Sequence, residues 1–207
     1  MSLSAPEVHA LKVAPDVEGV LPVIHHRWSS RAFSARDVTD GDLHRIFEAA
    51  RWAASSFNEQ PWRFIVGRKG DATHAAIAAS LMGFNQEWAP KAPVLILAVA
   101  QAKFAHNGTP NAHALYDLGA SVAHLTLQAA ELGMTSHQMA GFDRDKARQL
   151  LAIPEEYLMG VTVALGYQDD PSTLANERLV QLETTPRSRK SLDEMVFSHW
   201  GQPAHLG

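Results

Sequence analysis

Residues Val94-Leu95-Ile96-Leu97-Ala98-Val99-Ala100 form an unbroken apolar run, and it restricts the fold more than any other stretch of the chain. A strand with one wet face alternates apolar and polar residues, whereas a run with no polar member needs cover on both faces, as a buried central strand has. Helices to supply that cover are written on either side. Thr39-Asp40-Gly41-Asp42 has the form of a capping box, and Leu43, Ile46, Phe47 and Ala50 follow at helical spacing, predicting a helix that ends near Ala54. Ala72 to Leu81 predicts an Ala-rich helix, and His113 to Leu132 a long one with Gly133 in the position just past its end. That long helix is apolar nearly all round, which suits a core or a subunit interface. Asp143 caps a further helix to about Leu151, with Pro154 beyond it. Other strands are expected at Arg63 to Gly67, after Gly133, and at Gly160 to Tyr167. This order of elements argues for an α/β or α+β layered structure and supplies too few strands for an eight-stranded barrel.

The 207 residues suit a single domain with one continuous core. Residues 1–15 lack a clear period and read as a flexible arm, after which Asp16 could cap a short helix through Val20, Val23 and Ile24. Residues 170–207 carry no strong strand, yet Leu192, Met195, Val196, Phe197 and Trp200 must pack on something. The absence of cysteine excludes disulfides, thiolate metal sites and a Cys nucleophile. A formal charge of −4 gives no reason to expect a nucleic acid or an anionic membrane as partner. With no leader pattern at the start and no long apolar segment, the expected compartment is the cytoplasm.

Chemistry concentrates between Arg27 and Phe64. Arg27, Ser29, Ser30 and Arg31 bring two guanidinium groups and two hydroxyls together, donors suited to a phosphate or carboxylate. Ser55, Ser56, Asn58 and Gln60 make a polar run with both donors and acceptors, better matched to a planar polar ligand than to a metal ion. A third cluster, Arg187-Ser188-Arg189-Lys190, lies far away in sequence; it and the first either converge on one phosphate or are two unrelated solvated patches. No glycine-rich phosphate turn occurs, so a bound nucleotide would have to be gripped by side chains. Gly119-Ala120-Ser121-Val122-Ala123 falls mid-helix, which is wrong for a nucleophile elbow, and His113, Asp117 and His124 share a helix face without a matching second helix to complete a metal site.

Taken together, Arg27-Trp28-Ser29-Ser30-Arg31-Ala32-Phe33 and Ala54-Ser55-Ser56-Phe57-Asn58-Glu59-Gln60-Pro61-Trp62 resemble the signature of the nitroreductase family of flavin enzymes, R-R-S-x-R-x-F and P-S-S-x-N-x-Q-P-W. Asn85 and Ala92-Pro93 extend the likeness, while Trp28 and Ala54 depart from it. The resemblance implies an α+β fold with a mixed or mainly antiparallel sheet flanked by helices, and a C-terminal extension exchanged across a homodimer. It also implies FMN as cofactor. Arg27, Trp28, Ser29 and Arg31 would hold phosphate and ribityl, with Arg187 and Arg189 closing on the phosphate. Ser55, Ser56 and Asn58 would come from the other subunit against the flavin ring, with Gln60 near them; Asn85 would face the pyrimidine edge and the Ala140-Gly141 loop would reach N5. NADH or NADPH would be the donor, in a ping-pong reduction of a nitroaromatic, quinone or activated alkene that needs no acid or base side chain in its first half and no metal. Other acceptors on the same fold, and a flavin-binding protein without turnover, are the alternatives.

Overall fold

The computed structural model describes residues 3–206. The main sheet is built from β1 (Trp62–Arg68), β2 (Val94–Gln101), β3 (Thr135–Met139) and β4 (Tyr157–Gly166), in the order β1-β2-β4-β3 with every neighbouring pair antiparallel. Of the expected mixed or mainly antiparallel arrangements, it is the antiparallel one. The helices are α1 (Ala5–Lys12), α2 (Pro22–His26), α3 (Asp40–Arg51), α4 (Ala72–Ser80), α5 (Ala114–Glu131), α6 (Arg144–Leu150) and α7 (Glu177–Thr184).

The apolar run of β2 is explained by cover on both faces. Val94, Ile96, Ala98 and Ala100 pack with Leu43, Ile46 and Ala50 of α3 and Leu118, Val122 and Leu125 of α5. Leu95, Leu97 and Val99 point the other way, into a second core with Ile77 of α4, Ala147 of α6, Leu179 of α7 and the buried Trp88. An antiparallel sheet normally keeps one wet face and an alternating pattern; helices on both sides abolish the alternation here.

Local signals account for most boundaries. Thr39 Oγ accepts the Asp42 N–H at 3.1 Å to start α3, Asp71 accepts the His74 N–H at 2.6 Å to start α4, and Asp143 accepts the Lys146 N–H at 3.0 Å to start α6. Gly133, at φ +73°, turns the chain out of α5 in the left-handed conformation that glycine adopts without strain. The long α5 is one-sided within the protomer: Leu118, Ser121, Val122 and Leu125 are buried, while Leu115 and Tyr116 are exposed.

Two sequence expectations need correction at the ends. The supposed flexible arm of residues 1–15 contains α1, opened by Ser4 and Glu7 in a reciprocal capping box and seated through the buried Val8 and Lys12; Met1 and Ser2 lie outside the described residues. Asp16 caps nothing, and the short helix starts later, at Pro22. The 170–207 segment contains α7, started by the Asn176 side chain accepting the Leu179 N–H at 3.0 Å. Beyond it, β5 (Phe197–His199) and β6 (Gln202–Pro203) form a separate small hairpin. Trp200 on that hairpin is 94% exposed. Among the described residues no helix is long and apolar enough to cross a membrane.

Candidate functional site

The loop after α2 and the segment after α7 meet. Arg187 donates from its two terminal nitrogens to the carbonyls of Arg27 (2.8 Å) and His25 (2.7 Å), which ties the distant basic cluster to the end of α2. The convergence left open by the sequence is therefore present, although Arg187 spends its terminal donors on backbone. Arg189 stays exposed, and its charge, after burial, pulls the Arg27 guanidinium below its ordinary value. Burial and the charges of Arg27 and Arg189 act on Arg187 in the same direction. Like charges packed this way raise each other's energy and leave a standing preference for an anion.

The loop itself is divided between two duties. Trp28 is buried, with the Lys12 ammonium 4.9 Å from its ring centre, and its carbonyl accepts from Thr135 Oγ at 3.4 Å. Ser30 is fully buried; its hydroxyl donates to Glu183 at 2.5 Å, and the Arg31 and Ala32 N–H groups donate to the same carboxylate at 2.9 Å and 3.2 Å. Arg27, Ser29 and Arg31 remain partly exposed. On the β3 side, His137 meets the Ser30 carbonyl at 3.0 Å through Nδ1, which as the neutral tautomer is the donor, and its ring lies 4.6 Å from that of Trp88. Burial first, and then the Arg31 charge, pull His137 down to about 4, so it is neutral at ordinary pH.

From this basic end β3 runs away to Ala140 and Gly141, a distance on the order of 15 Å at the usual strand rise. There Asn85, on the irregular turn Gly83–Glu87, donates from Nδ2 to the Gly141 carbonyl at 3.1 Å. A Cβ at Gly141 would stand 2.9 Å from that nitrogen, so a side chain there would push Asn85 aside. Ala140 and Gly141 are exposed and Asn85 is half-buried. These three predicted site residues thus sit together, at the opposite end of β3 from the basic loop.

The polar run is elsewhere in the same protomer. Ser56 N–H donates to the buried Asp117 at 3.1 Å near the start of α5, while Trp28 is held beside the segment that follows α5. The helix between these anchors separates them by on the order of 20 Å. Ser55 Oγ accepts the Gln60 N–H at 3.0 Å, and Gln60 Nε2 donates to the Asn58 carbonyl at 3.0 Å. Phe57, Asn58 and Gln60 all have φ near +50°, a costly conformation for residues with side chains. Phe57 is 84% exposed, its ring edge-on to that of Phe104 at 5.7 Å, and Asn58 and Gln60 line an open cleft of about 390 Å³ beside Trp52. One chain thus assembles the basic loop with Arg189 and, down β3, the Asn85–Gly141 corner, but leaves Ser55, Ser56, Asn58 and Gln60 on a different face.

Reading the sequence missed Glu183, Lys12 and His137. Only Glu183 had a signal, and a weak one: Asn176, a residue that can cap a short helix reaching it. Of the metal candidates, Asp117 serves Ser56, and His124 Nδ1 meets the Ala49 carbonyl at 3.2 Å.

Known proteins resemble this chain in sequence and in fold. The family model described as "Nitroreductase family" matches residues 24–85 and 68–167. The chain is 34% identical over 149 residues to an "Uncharacterized 15.4 kDa protein in ask 5'region" of Mycolicibacterium smegmatis, covering 68% of this chain and 99% of that protein. It is 32% identical over 158 residues to a "Putative NADH dehydrogenase/NAD(P)H nitroreductase" of Archaeoglobus fulgidus, covering 74% and 88%. Among solved structures, one described as "the oxidoreductase containing FMN" superposes with a TM-score of 0.83 at 32% identity, covering 89% of this chain and 94% of that one. A putative nitroreductase in complex with FMN from Desulfovibrio desulfuricans gives a TM-score of 0.68 at 25% identity, covering 89% and 98%.

Proposed function

The chain belongs to the nitroreductase family of oxidoreductases, and from that premise we propose that it is a homodimeric FMN enzyme that oxidises NADH or NADPH and reduces a nitroaromatic, quinone or activated alkene in a ping-pong cycle. The observation that carries the cofactor assignment is the convergence of Arg27, Arg31, Arg187 and Arg189 on one loop, where the acidic side chain bonded to that loop, Glu183, already holds three of its donors. Such a site fits a terminal phosphate. Arg27, Ser29, Arg31 and Arg189 would hold it, Arg187 and Trp28 would hold the loop in shape, and the polyol chain would lie along β3. Asn85 and the backbone of Ala140 and Gly141 would meet the edge of the ring.

Bound there, FMN supplies a hydride acceptor at N5, and no protein acid or base is needed for that half of the cycle. The chain's task is to fix the ring, keep one face open to the dinucleotide and then to the acceptor, and offer donors where negative charge grows on the ring. Ser55, Ser56 and Asn58 would do part of this from the partner subunit, a reading supported by their place on a different face of the protomer from the basic loop. Exposed apolar side chains on the same copy, Trp52 at 74%, Tyr116 at 80% and Trp200 at 94%, favour a dimer that covers them.

The test is direct. The purified protein should be yellow with one FMN per subunit, and should oxidise NADH or NADPH in the steady state with a nitroaromatic or a quinone. A colourless preparation that gains no flavin absorbance on incubation with FMN would overturn the assignment, and a yellow protein without turnover would leave a flavin-binding protein in its place.

A further inference from the structure

Glu183 is fully buried, one of two buried acidic residues among those described, the other being Asp117. Its carboxylate takes the Ser30 hydroxyl and the Arg31 and Ala32 N–H groups, with the Arg31 guanidinium 3.9 Å away. These are donors of the same short segment that, by sequence, would be credited to a ligand. Because the protein supplies its own acid for them, the loop has the shape of an anion site before any ligand arrives, and its remaining donors, the side chains of Arg27, Ser29 and Arg31, stay partly exposed beside it.

Glu183 is itself held. It sits in the last turn of α7, whose end is fastened by Lys12 from α1, the ammonium donating to the Leu182 carbonyl at 3.1 Å and the Thr185 carbonyl at 2.5 Å. Opposite, His137 of β3 fixes the Ser30 carbonyl. The peptide around Ser30 is therefore clamped from both sides.

We propose that Glu183 is a positioning residue for the phosphate end of the cofactor, one that never touches the cofactor but sets the loop that does; this rests on the FMN reading above. Two effects of a buried acid at this place oppose each other. As a negative charge near a phosphate, Glu183 weakens binding; as the acceptor for three loop donors, it strengthens binding by fixing Arg27 and Arg31 in place. Three hydrogen bonds to a carboxylate that is shielded from solvent outweigh the repulsion of a phosphate faced by several guanidinium groups, since leaving buried donors unpaired costs more than a partly screened like-charge contact.

The sign of the effect is the test. Full-length native protein and the Glu183→Gln variant are stripped of flavin, and affinity for FMN and for riboflavin, which lacks the phosphate, is read by flavin fluorescence. Glu183→Gln keeps the size of the side chain but sets an NH2 group against the loop donors. It should weaken FMN roughly tenfold and leave riboflavin within about threefold. Ser30→Ala, which removes one donor from the carboxylate and is milder for folding, should weaken FMN in the same selective way by a few-fold. Equal or tighter FMN binding by Glu183→Gln would show that only its charge matters and overturn the proposal. So would an equal loss for both flavins, the mark of general destabilisation. A native chain that binds no FMN would overturn this proposal together with the FMN reading, whereas native binding with unaffected variants would overturn this proposal alone.

Discussion

The two ends of the candidate site are built on opposite plans. At the basic end, the 27–32 loop is held from within its own chain: Glu183 takes its inward donors, Arg187 the Arg27 carbonyl, His137 the Ser30 oxygen, and Lys12 stacks over Trp28. At the polar end, three residues near φ +50° hold up the 55–60 turn and Phe57 is largely exposed; on the C-terminal β5–β6 hairpin Trp200 is exposed as well, with the Phe197 ring 5.7 Å away. One end is closed within the protomer, and the other is left exposed by it. A buried network fixes geometry because each member constrains the others, whereas an exposed apolar surface specifies only that cover must come. The basic end should therefore respond to single side chains, and the polar end, if a second subunit covers it, to the loss of that subunit.

The largest expected effect breaks the contrast outright. Removing residues 186–207 takes away Arg187, Arg189 and the exposed Leu192, Met195 and Trp200 together. If the tail covers the partner, those side chains bury several hundred Å² there, worth several kcal/mol at ~25 cal/mol per Å² before ordering costs. The truncated chain should be monomeric or aggregated by sedimentation and free of flavin. A soluble yellow dimer would mean that the tail has no part in assembly.

Single arginines give the next effect. Arg27→Ala or Arg189→Ala removes a charge-assisted contact worth ~1.5–3 kcal/mol, so FMN affinity should fall roughly ten- to a hundredfold while the rate at saturating FMN stays nearly constant. Arg187→Ala should show a different pattern, because its terminal nitrogens hold the His25 and Arg27 carbonyls. Thermal stability should fall along with affinity, whereas Arg189→Ala, from an exposed position, should leave the melting temperature unchanged. Fluorescence titration and thermal melts on the same three variants decide it. Unchanged affinity with a large drop in rate for Arg27→Ala would place that arginine at the nicotinamide or the acceptor instead.

How much of this was legible before the coordinates depends on where each signal is stored. The β2 run, the Thr39 and Asp143 caps, the Ala-rich stretch from Ala72 and Gly133 are local patterns with local causes, and the elements they mark are where the sequence puts them. Helices α1 and α7 were missed because each is eight residues long and buries few side chains, so neither has enough turns to show a period. Glu183 was missed for a further reason. An acid near the end of a polar helix reads as solvated, and only the fold reveals that Ser30, over 150 residues away, comes to meet it. The donors of the first motif were visible; which of them face a ligand and which face the protein was not, because that depends on a partner absent from the motif.

His137 gives the smallest effect and the finest test of the basic end. Its imidazole is held at about 4, below the ordinary value near 6.5, by burial and then by Arg31, with Arg27 adding to it. Because the unfolded chain binds a proton that the folded chain refuses between those two values, stability rises with pH across that window and is lost as pH falls from about 6.5 toward 4. Between pH 7 and pH 5 the flavin-free protein should lose about 1–2 kcal/mol through this group, read as a drop in the urea midpoint. His137→Gln keeps an N–H for the Ser30 carbonyl and cannot titrate, so its profile should be flatter over that range. A phosphate between Arg27 and Arg31 would offset part of the positive charge that depresses His137, and FMN-loaded native protein should then show a shallower slope than the flavin-free form. Equal slopes for native protein and His137→Gln would mean that the imidazole is not kept neutral by its surroundings, and that the basic end is more open to water than its hydrogen bonds imply.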